Sequence, residues 1–103
     1  MVHVIVTMRI KEGRMPEFLA ACRDLRPRVL QEAGCLAYTY TRDSAAPGGD
    51  QPVLEADRVT LIECWEPMAA LKAHLGTAHM REAGERMKDL RSSVELRFTE
   101  AIF

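Results

Sequence analysis

Glu63, Trp65 and His74 are the residues whose types and spacing best suit chemistry in this chain. They fall in Glu63-Cys64-Trp65-Glu66-Pro67-Met68-Ala69-Ala70-Leu71-Lys72-Ala73-His74-Leu75, followed closely by Thr77-Ala78-His79-Met80. An imidazole titrates near neutrality, so it can give or take a proton at physiological pH. A carboxylate two residues from an indole on an extended strand shares its face. From there the indole can stack on a flat ligand while the carboxylate orients the imidazole or takes part in proton transfer. Together they point to a small-molecule site. The competing readings are structural: a histidine satisfied by a carbonyl, a core tryptophan, and a glutamate paired across a dimer with Arg9 or Arg97.

The elements that must position these groups follow from periodicity. Residues 2–10 alternate, with Val2, Val4, Val6, Met8 and Ile10 against His3, Ile5, Thr7 and Arg9, and read as a strand. Lys11-Glu12-Gly13 is a turn. From Arg14 to Ala33 the period becomes helical through Met15, Phe18, Leu19, Cys22, Leu25, Val29 and Leu30. Pro27 is expected to kink or divide this helix, and Gly34 to stop it. Cys35 to Arg42 is a second strand, with Leu36, Tyr38 and Tyr40 expected on one face. Asp43 to Pro52 is a polar loop rich in Gly and Pro. Arg58 to Trp65 is a third strand, with Val59, Leu61, Glu63 and Trp65 on one side. A short helix covers Pro67 to Leu75, and His74 shares its inward face with Ala70 and Leu71. Gly76-Thr77 breaks it, Thr77 can cap a further helix running to about Leu90, and Val94, Leu96, Phe98 and Ala101 mark a last strand.

The resulting order, β-α-β-β-α-β, is that of an α+β, ferredoxin-like domain with a four-stranded antiparallel sheet. At 103 residues the chain forms a single domain over 1–103. Bulky residues on both strand faces imply that something covers the second face of the sheet, and a homodimer through that face is expected. The charge of -1 comes from acidic and basic residues mixed along the chain, which leaves nucleic acid and anionic membrane surfaces without electrostatic support. Cys22, Cys35 and Cys64, an odd set with no C-x-x-C spacing, suit reduced thiols and a cytoplasmic protein. The N-terminus lacks the pattern of a signal peptide or a membrane span.

Lys11-Glu12-Gly13 with Phe18, Glu32-Ala33-Gly34-Cys35-Leu36-Ala37-Tyr38, Glu63-Cys64-Trp65-Glu66, Ala70-Leu71-Lys72-Ala73-His74-Leu75 and Thr77-Ala78-His79-Met80 resemble, in order and spacing, the antibiotic biosynthesis monooxygenase family. That resemblance implies a dimeric α+β barrel related to quinol monooxygenases, with a pocket in each subunit between sheet and helices. It also implies oxidation of a phenolic or quinol-type aromatic substrate by O2 with no cofactor: no flavin, metal or haem. His74 and Glu63 would then be catalytic, with Trp65, Tyr38 and Leu71 against the substrate. The same scaffold also hosts isomerases, haem-degrading enzymes and proteins without demonstrated activity. The haem-degrading pattern is not matched, since the first strand has no Asn and Gly84 stands where a His is needed. The Asp43–Asp57 segment is longer than the usual hairpin connection, and suits a lid or an extension of the dimer contact. A metal triad of Glu63, His74 and His79 fits in ligand type, but a spacing of five is poor on one helix, so no metal is expected. A ligand-binding or stress-response module and an isomerase are the alternative functions.

Overall fold

The computed structural model describes residues 1–45, 48–49 and 53–103. The elements are β1 (Val2–Ile10), α1 (Met15–Leu30), β2 (Cys35–Arg42), β3 (Arg58–Trp65), α2 (Met68–Leu75), α3 (Ala78–Met87) and β4 (Arg91–Glu100). The strands form one antiparallel sheet in the order β2-β3-β1-β4, the ferredoxin-like arrangement expected. No helix among the described residues is long and apolar enough to cross a membrane.

The period-2 pattern of β1 buries Val2, Val4, Val6, Met8 and Ile10 against the helices, and β3 does the same with Val59, Leu61, Glu63 and Trp65. From α1, Phe18, Ala21, Cys22, Leu25 and Val29 meet them at helical spacing. Complete burial of a side chain such as Phe18 contributes about 2–3 kcal/mol. Burial also pushes the Cys22 thiol up to about 11, which keeps it protonated at neutral pH.

Four local expectations are corrected. Pro27 does not divide α1, because it lies in the exposed last turn, where a single lost N–H bond frees a carbonyl that water can reach. The helix ends at Leu30 rather than Ala33, because the chain then reverses. The Glu32 N–H donates to the Val29 carbonyl and the Cys35 N–H to the Glu32 carbonyl. Leu36 does not share the buried face of Tyr38. A bulge between Cys35 and Ala37 turns it outward, while Tyr38 stays buried. Finally, α3 stops at Met87, and a turn in which the Leu90 N–H donates to the Met87 carbonyl delivers the chain into β4.

The register also divides the apolar residues of the sheet. Ile5 faces Ile62 on the side away from the helices, beside Thr7 and Thr60 and next to His3 and Cys64. Val94, Leu96 and Phe98 oppose Met8, Val6 and Val4, and so point to the helix side. They are nevertheless 40%, 51% and 51% exposed, so the helices do not reach over β4.

The flanks of the long loop are clamped: the Asp43 carboxylate accepts from the Arg58 guanidinium and from the Glu55 N–H. Arg9 pairs with Glu55 and Asp57 within the chain. The central part of the loop expected to act as a lid, at 46–47 and 50–52, lies outside the described residues.

Gly34 ties the α1–β2 turn to the start of α2. Its φ is +84°, its carbonyl accepts from the Glu66 N–H at 3.0 Å, and a Cβ there would lie 2.4 Å from Ala70 Cβ and 2.6 Å from the Glu66 carbonyl oxygen. Gly34→Ala therefore combines backbone strain with overpacking, and is expected to cost about 2–4 kcal/mol in urea unfolding. A change below about 0.5 kcal/mol, the level of an ordinary surface substitution, would contradict this packing.

Candidate active site

Four of the five residues singled out from the sequence meet in one buried cluster between the sheet and the helices α2 and α3. Glu63 occupies the centre of the sheet, opposite Val4 on one side and Tyr38 on the other. The Trp65 indole N–H donates to Glu63 Oε1 at 2.9 Å, as two residues on one strand face can. The His74 ring packs on Trp65 with centroids 4.4 Å apart and meets the Tyr38 ring edge-on at 5.9 Å. Tyr40 in turn meets Tyr38 edge-on at 5.6 Å. The fifth residue, Leu71, is buried in the core one turn before His74.

The sequence reading assigned no role to Glu32, yet it organises the cluster. Its Oε2 lies 2.8 Å from His74 Nδ1 and 2.9 Å from His79 Nε2. A carboxylate only accepts, so each ring must donate an N–H to it. In a neutral His74 ring this leaves the lone pair on Nε2, which faces Glu63 Oε1 at 3.8 Å. The His74 side chain is 1% exposed and is thus flanked by carboxylates on both sides in a desolvated setting. That arrangement leaves Nε2 as the ring atom able to accept a proton.

His74 and His79 converge despite the spacing of five that argued against them as joint ligands, because that argument holds on one helix and the break expected at Gly76-Thr77 puts them on two. The chain breaks at Gly76, and Thr77 starts α3 afresh. The Thr77 hydroxyl donates to the His74 carbonyl at 2.9 Å and accepts from the Met80 N–H at 3.3 Å. This turns His79 back towards the carboxylate that His74 holds. Glu32 reaches both because the early end of α1 places it in the turn and not on the helix. A glutamate two residues before a glycine that only glycine can occupy was the available signal.

Electrostatically the interior favours neutral groups. Burial pushes the Glu63 carboxyl up from its ordinary value, with the Trp65 N–H opposing the shift. Burial likewise raises the phenols of Tyr38 and Tyr40 well above the usual range, so both stay protonated.

Two cavities flank the cluster. An open groove of about 490 Å³ between α1 and α3 has His79 in its wall beside Arg28, Glu82 and Arg86. A more apolar cavity of about 390 Å³, lined by Met15, Leu19, Tyr40 and Val59 among others, lies beside the first turns of α1. His74 lines neither of them; Tyr38 is the ring between it and the Tyr40 wall of the second.

Removing Glu32 strands two ring N–H groups, one of them on the deeply buried His74. Glu32→Ala is expected to lower stability by about 2–4 kcal/mol in urea unfolding, while Glu32→Gln, whose carbonyl still accepts, loses less than half of that. Equal losses in both variants would mean that charge rather than hydrogen bonding holds the pair.

The geometry can be set beside known proteins. The family model described as "Antibiotic biosynthesis monooxygenase" matches residues 1–86. The Escherichia coli (strain K12) protein named "Probable quinol monooxygenase YgiN" is 36% identical over 90 residues, which cover 85% of this chain and 86% of that protein. A crystal structure from Caulobacter crescentus CB15 carrying the same family description superposes with a TM-score of 0.84 at 26% identity, covering 99% of this chain and 90% of that one. A conserved protein from Methanosarcina mazei Go1 shares the fold, with a TM-score of 0.82 at 20% identity over 96% of this chain and 90% of its own. With most of its length matched both by the family model and by a relative at this identity, the chain belongs to the antibiotic biosynthesis monooxygenase family.

Proposed function

We propose that this protein is a monooxygenase that oxidises a phenolic or quinol-type aromatic small molecule with O2 and without a resident cofactor. The observation that carries the reading is the buried imidazole of His74, held by Glu32 at Nδ1, with its Nε2 facing Glu63 and its ring packed against Trp65 and Tyr38. Family membership and the quinol monooxygenase description of the Escherichia coli relative support it.

In this reading His74 Nε2 takes the proton of a substrate hydroxyl, and the imidazolium that forms is stabilised by Glu32 and Glu63. The electron-rich phenolate passes one electron to O2 and recombines with it at a ring carbon that bears hydrogen. The resulting peroxide loses that hydrogen as its O–O bond breaks. One oxygen atom becomes the second carbonyl of a quinone. The other leaves as water, carrying the hydroxyl hydrogen and the carbon-bound hydrogen. The protein supplies a dry, aromatic-lined setting, an oriented substrate and charge stabilisation. The cavity beside Tyr40 has room for an aromatic ring, and the Tyr38 ring lies between Tyr40 and His74.

We infer a homodimer as the working form. Ile5 and Ile62 are exposed apolar residues on the open face of the sheet, and Val94, Leu96 and Phe98 are exposed on the helix side of its edge strand β4. β4 is also an edge strand of ten residues, which leaves one row of backbone groups unpaired within the sheet. A second copy offers the same surface in return, as a two-fold contact requires. Light scattering is expected to give the mass of a dimer, with Ile62→Glu on the open face shifting it to the monomer. A monomeric parent protein would overturn the dimer.

Oxygen uptake by metal-stripped protein, given a panel of quinols and anthrone-like phenols, tests the activity. Uptake above autoxidation is expected, falling by about 10²–10⁴ in His74→Ala. Unchanged uptake in that variant would remove His74 from the mechanism. Ligands recovered unaltered would favour a binding module, and rearranged products formed without O2 an isomerase.

A further inference from the structure

Glu32, His74 and His79 offer one carboxylate oxygen and two imidazole nitrogens that all lie within 4.8 Å of one another. We propose that these three residues bind a zinc-like divalent transition-metal ion, and that the bound ion silences His74 as a base. The second half rests on the reading of His74 given above; the binding site itself does not.

The donor set is the two-histidine, one-glutamate combination that zinc accepts when a fourth position is left to water. Its geometry is nearly formed. Zinc bonds of about 2.0–2.2 Å at tetrahedral angles put donor atoms about 3.4 Å apart. Glu32 Oε2 lies 2.8 Å and 2.9 Å from the two nitrogens, so these two distances lengthen by about half an ångström, while the nitrogens, within 4.8 Å of each other, settle to the same spacing.

The surroundings suit a cation as well. Among the described residues no lysine or arginine forms a salt bridge with Glu32, whose ion pairs run to the two histidines. Among the described residues the Glu32 carboxylate is therefore not neutralised by a lysine or arginine at salt-bridge distance, and Arg28 and Arg86 lie in the groove wall beside His79. Ligating histidines commonly direct their second N–H at a carboxylate that fixes the ring. Once His74 Nδ1 ligates, its proton resides on Nε2, facing Glu63, and Glu63 is itself held by the Trp65 indole at 2.9 Å. His79 in the wall of the α1–α3 groove gives an ion and its water a way in.

The consequence for His74 follows from counting protons. In the metal-free ring Nδ1 carries the proton and Nε2 is free to accept another. Ligation through Nδ1 moves the proton to Nε2, with no net release, and removes the lone pair that substrate deprotonation needs. Zinc, which is not redox-active, adds no oxygen chemistry of its own.

Isothermal titration of the EDTA-stripped full chain with zinc chloride tests the site. A Cys35→Ser/Cys64→Ser background removes the two partly exposed thiols that also bind zinc. One ion per chain is expected, with affinity falling roughly tenfold or more in Glu32→Gln and in His79→Ala. His79→Cys, which restores a zinc ligand as a thiolate, recovers binding. Circular dichroism establishes that each variant is folded. Absence of zinc uptake, or uptake indifferent to Glu32→Gln and His79→Ala in folded protein, overturns the site even where His74→Ala abolishes oxygen uptake. Oxygen uptake is then followed with and without zinc, each variant against its own metal-free rate. Loss of uptake on adding zinc, reversed by EDTA and absent in His79→Ala, supports the silencing. Zinc bound at this site with uptake unchanged overturns that half alone.

Discussion

Glu32 Oε2 receives N–H groups from two imidazoles that arrive on different helices, and the rest of the cluster depends on that shared acceptor. Without it, two donors are stranded, one of them among the most buried polar groups of the chain, and a buried donor left unpaired costs about 1–3 kcal/mol. With it, the His74 proton is confined to one ring nitrogen and the other faces Glu63, while the ring packs against Trp65 and Tyr38. Function, in this account, is a matter of which nitrogen is left free.

The fold contributes by bringing three chain segments together. The turn after α1 carries Glu32, the end of α2 carries His74, and the start of α3 carries His79. Gly34 lets the first of these press against Glu66 and Ala70, closer than any side chain allows. Thr77 joins the other two by bonding the His74 carbonyl while capping α3. β3 then places Glu63 and Trp65 beneath the pair, since alternate residues share a face. A polar chain can exist at this depth because nearly every member has a partner.

Much of this was legible in the sequence. The alternation of β1 and β3 and the helical spacing of Phe18, Cys22, Leu25 and Val29 led to the right sheet and the right buried faces. Glu63, Trp65, Tyr38 and His74 were singled out for chemistry, and they do pack together. Glu32 was not, because its position depends on where α1 stops, and helix ends are set by backbone geometry that periodicity does not report. His79 was set aside on spacing, an argument that holds within a helix and fails across the Gly76–Thr77 break. Leu36 was placed on the wrong face because a bulge shifts register by one residue without any apolar signature. Local pattern carried the elements; the joints between them carried the site.

The most direct test is the tautomer of His74, read from long-range nitrogen–proton correlations in metal-free protein with ¹⁵N-labelled histidine. The account predicts a protonated Nδ1 and a Nε2 bearing the lone pair, with the preference lost in Glu32→Ala. A proton on Nε2 in the parent protein would contradict it, because the free nitrogen would then face Glu32 and not the site.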